Sequence, residues 1–179
     1  MPVRRDVEYT EYVSARLPSL LRLAQLLCHD WQRADDLVQA AITRLYVRWA
    51  RAAAADNLDA YVRTILFREF LHERRSGWAS RVSLTSEVPD TPAAAADVDT
   101  VLDLQAAVAA LPPRQRATLV LRFYCDLSVD QSAQVLGCSA GTVKSQTARA
   151  LSTLRSALGA EFSVRDASGI PQPHRRGGS

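Results

Sequence analysis

Cysteine is scarce in this chain. Cys28, Cys125 and Cys138 are odd in number, far apart and without a CxxC pair, a pattern that supports neither a disulfide framework nor a zinc site. Cys28 and His29 together could supply half of a metal or redox site, but small apolar residues in or near a core are the better reading. His72 and His174 have no ligand-like spacing to each other or to Cys28. Glycine is sparse too, with no glycine-rich phosphate loop and no Ser/His/Asp constellation, so an enzyme is the least favoured class and neither cofactor nor metal is expected. Long apolar runs are missing as well. The stretch 17–28 is interrupted by Pro18, Ser19, Arg22 and Gln25, and nothing approaches the roughly 18 apolar residues of a membrane span. Residues 1–16 mix Arg4, Arg5, Asp6, Glu8 and Glu11 and carry no secretory pattern, which makes the cytoplasm the expected compartment. Strand-favouring runs are few. The net charge of +3 permits a nucleic-acid partner without demanding one.

What the chain does have is helical periodicity in two blocks. Hydrophobic residues make up 47% of it, and Ala, Leu, Arg, Asp and Gln dominate, so the expected fold is all-α, two small helical domains on a flexible linker. The first block, 6–78, reads as three or four helices. Tyr9, Tyr12, Val13 and Leu17 form a stripe that continues through Leu20, Leu21, Ala24, Leu27 and Cys28, with Pro18 expected to start a new helix or kink the first. Leu37, Val38, Ala41, Ile42, Leu45, Tyr46 and Trp49 recur at helical steps, with Asp35 and Asp36 expected in the first turn of that helix. A third helix follows Asn57, with Tyr61, Val62, Ile65, Leu66, Phe70 and Leu71 inward. Residues 79–96, rich in Ser, Pro and Ala, read as a linker, and 159–179 as a disordered tail.

The second block, 97–158, carries the most specific local signal. Pro112 and Pro113 separate an apolar helix from the next, which runs to about Tyr124. Ser128 and Gln131 then form a capping-box pattern, Gly137 is placed to end a short helix, and Ser139 or Thr142 can cap the one that follows. Two helices across a four-residue turn make a helix-turn-helix, whose second helix enters the major groove. That helix splits by face. Val143, Thr147, Ala150, Leu151 and Leu154 pack inward; Lys144, Ser145, Ala148, Arg149 and Ser152 face outward, small, polar and cationic. Lys144 or Arg149 could donate to guanine, and Ser145 could hold phosphate. An ordinary solvated face is the alternative, and the turn chemistry ahead of the helix weighs against it.

The run LPPRQRATLVLRFYCDLSVDQSAQVLGCSAGTVKSQTARAL (111–151) resembles region 4 of bacterial RNA polymerase sigma factors of the extracytoplasmic-function type, in the sigma-70 family. The runs RADDLVQAAITRLYVRW (33–49) and NLDAYVRTILF (57–67) resemble region 2 of the same family. The two blocks cover most of the chain, in the family's order, and the pattern is similar to the sigma-E-like actinobacterial group. The resemblance implies a protein that binds core polymerase, through the clamp coiled coil and the flap, and places region 4 on the −35 element and region 2 on the −10 element to help open the duplex. It also admits an anti-sigma factor as a partner. By position, Asp35, Asp36, Leu37 and Gln39 match the clamp-binding surface. Lys144, Ser145, Ala148 and Arg149, with Thr142, match the −35 face, and Arg114 and Arg122 fall where the family contacts phosphates. Promoter melting falls to residues 52–75, with Asn57, Asp59 and Tyr61 as pocket residues and Arg63, Arg68, Arg74 and Arg75 holding strand phosphates. Trp78 either stacks on a base or packs back on its domain.

Three departures from the family pattern stand out. Leu58 replaces a usual proline without harm to the fold, Arg68 replaces a frequent asparagine and changes the base-pocket chemistry, and Ala40 removes an acidic residue next to Gln39, which weakens core contacts. The main rival is a conventional helix-turn-helix regulator that acts without polymerase, usually as a dimer. A helical adaptor that binds only protein is a second. The first lacks a sensor domain here, and the second leaves the cationic face of 144–152 unused.

Overall fold

The computed structural model describes residues 2–73 and 98–158, all of it helix and connecting turn; no strand occurs among them. The expected linker and tail, with Arg74, Arg75 and Trp78, lie outside the described residues. In chain order the helices are α1 (Pro2–Cys28), α2 (Trp31–Val47), α3 (Trp49–Ala53), α4 (Leu58–Glu73), α5 (Val98–Ala110), α6 (Pro113–Leu119), α7 (Val129–Leu136) and α8 (Ala140–Leu158). Between α6 and α7 a π-helical turn runs over Val120–Tyr124.

Pro18 neither ends nor restarts α1, which is a single helix from Pro2 to Cys28. The proline lies on an exposed side, where the carbonyl one turn back that loses its donor still faces water. The stripe expected on α1 packs against α2. Tyr9 donates to the Ile42 carbonyl at 2.8 Å, and its ring meets those of Tyr46 and Trp49 edge to face. Helix α2 starts one turn earlier than its acidic pair suggests. Asp30 is its N-cap, accepting from the Arg33 amide at 2.7 Å, so Asp35 and Asp36 stand beyond the first turn. Their expected service to the helix dipole is corrected: that field fades within one turn, and Asp30 already occupies the cap. Helix α4 closes the three-helix core with Val62, Ile65, Leu66, Phe67 and Phe70 buried. Its Glu69, 7% exposed, is paired with Arg44 of α2 at 2.8 Å.

The second block has a small core of its own, Leu111, Leu119, Ala150 and Leu154, with Val108, Leu151 and Leu158 against it. The two blocks also share a core. Ala117, Val120, Leu121 and Val135 belong to the same buried cluster as the interior of α1, α2 and α4. Helix α6 and the π turn thus serve two interiors, turning Leu119 toward the second block and Ala117, Val120 and Leu121 toward the first. Arg116 of α6, 4% exposed, ties the blocks together. Its guanidinium donates to the Leu27 carbonyl of α1 at 2.6 Å and, on its own side, to those of Leu111 at 3.0 Å and Ala109.

The α1–α2 corner beside Arg116 carries the clearest titration effect. His29 takes a left-handed backbone, φ +54°, and burial first, then the Arg116 charge, lowers its pKa from 6.5 to about 4. An unfolded chain accepts a proton near 6.5, while the folded ring stays neutral down to about pH 4. Stability is therefore full above about pH 6.5 and declines as the pH falls toward 4. For a partly exposed ring the expected loss near pH 5 is about 1 kcal/mol after solvent screening. Denaturant melts at neutral and mildly acidic pH should show this slope in the parent and a flatter one in His29→Asn, since asparagine tolerates the left-handed backbone.

Candidate nucleic-acid interface

Turn chemistry builds the interface. The Ser128 hydroxyl accepts from the Gln131 amide at 3.1 Å, and the Gln131 side chain accepts from the Ser128 amide at 2.8 Å, closing the capping box of α7. Gly137 ends α7 with φ +64°, a backbone that costs an L-residue about 1 kcal/mol or more. The Cys138 amide returns to the Ala133 carbonyl at 3.1 Å. At α8 both capping candidates take part: the Ser139 hydroxyl accepts from the Thr142 amide at 3.1 Å and lies 2.9 Å from the Thr142 hydroxyl. Thr142 is half-buried and forms part of this turn. Removing the Ser128 hydroxyl (Ser128→Ala) should lower stability by about 1 kcal/mol in thermal or denaturant melts.

The turn aims α8 outward as its periodicity predicts. Val143, Ala150 and Leu154 are buried; Lys144, Ser145, Ala148 and Arg149 are all exposed. Neither Lys144 nor Arg149 is held in an ion pair among the described residues. The small Ala148 and Ser145 between them leave room for a duplex edge to come close. Arg114, at the start of α6, is exposed and lines a cleft with Gln146 and Arg149 of α8. Arg122 points elsewhere. Its guanidinium donates to the Leu127 carbonyl, and it therefore braces the loop ahead of α7 instead of extending toward phosphate.

The residues read as a melting surface are less free. Asn57 is exposed, but its side-chain oxygen caps α4, accepting from the Ala60 amide at 2.9 Å. Asp59 is held by α1 twice, by the Tyr12 hydroxyl at 2.7 Å and by Arg16 at 2.7 Å. Burial, then the bond to Asp59, pushes the Tyr12 hydroxyl far above its usual pKa, so it remains a donor. Asp59 thus fixes the start of α4 against α1. Tyr61 and Arg63 are half-buried, and Arg63 lies near enough to Cys125 to oppose the upward shift that burial gives that thiol. Arg68 is exposed yet bends toward α7, its Nε 3.5 Å from the Val135 carbonyl.

On α2, Asp35, Asp36 and Gln39 are exposed on one side. Leu37 is fully buried and is corrected from a contact residue to a core residue that orients its neighbours. Sequence reading missed Arg116 and the Arg44–Glu69 pair. A glutamate between two buried phenylalanine-side positions on α4 was a usable signal for the pair; nothing in LPPRQR separates Arg116 from Arg114.

Comparison with known proteins decides the family. The sigma-70 region 2 profile matches residues 12–80, and the sigma-70, region 4 profile matches residues 102–154. The chain belongs to the sigma-70 family. Within it, the chain is 38% identical over 159 residues to the RNA polymerase sigma-E factor of Streptomyces avermitilis, covering 85% of this chain and 86% of that one. It is 33% identical over 150 residues to the ECF RNA polymerase sigma factor EcfG of Rhodopseudomonas palustris, covering 82% of each. This sigma factor is therefore of the extracytoplasmic-function type. Among solved structures it is similar to the sigma factor RpoE of Bartonella quintana in complex with the anti-sigma factor NepR, with a TM-score of 0.68, 26% identity, and 86% of this chain and 98% of that one covered. A fold likeness extends to CnrH in complex with the cytosolic domain of CnrY, TM-score 0.57 at 18% identity, over 86% of this chain and 88% of that one. No helix among the described residues is long and apolar enough to cross a membrane.

Proposed function

We propose that this sigma factor directs core polymerase to promoters through three surfaces. The outward face of α8, Lys144, Ser145, Ala148 and Arg149, reads the −35 element, with Arg114 on the flanking phosphates. The exposed side of α2, Asp35, Asp36 and Gln39, meets the clamp coiled coil, and the flap engages the second block. Helix α4, with Arg63 and Arg68, contacts the −10 strand once the duplex opens. Asn57 and Asp59 serve here by setting the position of α4. The domains are 6–78 and 97–158, joined through 79–96. The polymerase makes every new bond, so the chain is an initiation factor without catalysis of its own, working in the cytoplasm where polymerase and promoter meet. By likeness to the Bartonella complex, an anti-sigma factor is its regulatory partner.

The observation that carries this reading is the pairing of a fully capped helix-turn-helix with an outward face whose two cations are not held in ion pairs. Run-off transcription with core polymerase from the same host, on a promoter library, tests it. Promoter-specific start sites are expected only when both proteins are present; their absence with every promoter would sink the reading.

A further inference from the structure

Helix α2 carries one large side chain that neither the core nor the three proposed surfaces use. Trp31, its first residue, is 47% exposed. Trp49, at the other end of the same corner, is 4% exposed and set edge to face against Tyr9. The Trp31 indole has no ring partner among the described residues. Four-residue steps lead from Trp31 to Asp35 and on to Gln39, all three exposed, so they follow one ridge of the helix. Asp36 is exposed beside it, and neither aspartate is held in an ion pair among the described residues. About half of the indole therefore serves no packing and lies as a broad π surface at the end of an acidic ridge.

We infer that Trp31 is an anchor for core polymerase, stacking under a basic side chain of the clamp coiled coil. The inference rests on the assignment of α2 to the clamp and extends that surface by one turn toward the start of the helix. Charge complementarity names the occupant: Asp35 and Asp36 select a cationic partner, and an indole one turn away attracts the same kind of group through its ring face. An arginine suits both, since its guanidinium plane can lie on the indole while its N–H groups reach a carboxylate. Exposed aspartates alone add little, because water screens their ion pairs. The indole changes this by covering them from solvent and by bringing large, rigid area at a low entropic cost. Affinity thus concentrates at Trp31, and preference for a basic partner at Asp35 and Asp36.

The test uses the full chain and core polymerase from the same host, with affinity measured by competition against the dye-labelled parent. Trp31→Ala should bind core about tenfold or more weakly. Trp31→Phe should keep most of the affinity, and Trp31→Leu, apolar but without a ring face, should fall close to alanine. Thermal melts should not change, because the exposed indole fills no interior. Asp36→Ala checks the α2 assignment separately. Full affinity in Trp31→Ala beside a weakened Asp36→Ala would overturn the anchor and leave the α2 surface standing. Full affinity in both would remove α2 from the contact, and the anchor with it. Parent-like binding by Trp31→Leu would overturn stacking on a cation. Should Trp31→Ala melt early, the comparison of phenylalanine with leucine decides, since both keep an apolar side chain in place.

Discussion

Replacing Arg116 by alanine should destabilise the protein by about 3–5 kcal/mol, the largest single effect expected here. The guanidinium is 4% exposed and satisfies carbonyls from three places: Leu27 at the end of α1, Ala109 at the end of α5, and Leu111 in the turn before α6. All three are helix-terminal or turn carbonyls, of the kind that a helix ladder leaves without a donor. Alanine leaves them facing a cavity the size of an arginine side chain, with no donor to replace it. Arg116→Lys should recover only part of the loss, because one ammonium cannot reproduce a planar fork spread over several acceptors. Chemical denaturation of the three proteins checks the order, parent above lysine above alanine. A drop below about 1 kcal/mol for alanine would mean that water fills the site at little cost.

Arg149→Ala should weaken −35 discrimination by about 1–3 kcal/mol, a factor of roughly five to a hundred and fifty, with little change in stability. The residue is exposed on α8, so its truncation leaves no cavity. Binding to matched and mismatched −35 duplexes, at two salt concentrations, separates two roles. If Arg149 grips a base edge, the preference for the matched duplex collapses and the salt slope changes little. If it grips phosphate, both duplexes weaken together and the slope falls by about one counterion. Lys144→Ala is the natural comparison, because a point charge on a flexible stem discriminates bases less sharply than a guanidinium.

Where local chemistry decides structure, the sequence was legible. The Ser128–Gln131 box, the left-handed Gly137 and the inward set Val143, Ala150 and Leu154 follow from short-range patterns, and all three appear as read. The all-α class follows from periodicity in the same way. Pro18 sits inside an unbroken α1 because the cost of a proline depends on whether the orphaned carbonyl meets water, and that is a tertiary fact. Asp35 and Asp36 fall beyond the first turn because Asp30 is the cap, and a helix that opens on the exposed Trp31 gives little periodic warning of its start. Asn57 and Asp59 lie at the positions that match the family's melting segment, and their partners Ala60, Tyr12 and Arg16 show them holding α4 in place. Pairings such as Arg116 with Leu27 join residues far apart along the chain, and no pattern within either block encodes them.

The shared core has a consequence for synthesis. Residues emerge from the ribosome in order, so α1, α2 and α4 can assemble while Ala117, Val120, Leu121 and Val135 are still untranslated. During that interval the α4 surface they will cover stands open, and apolar surface exposed in this way invites association with neighbouring nascent chains. The N-terminal half is thus most vulnerable before its sequence partner arrives, and the time taken to translate from residue 74 to the end of α7 sets how long that vulnerability lasts.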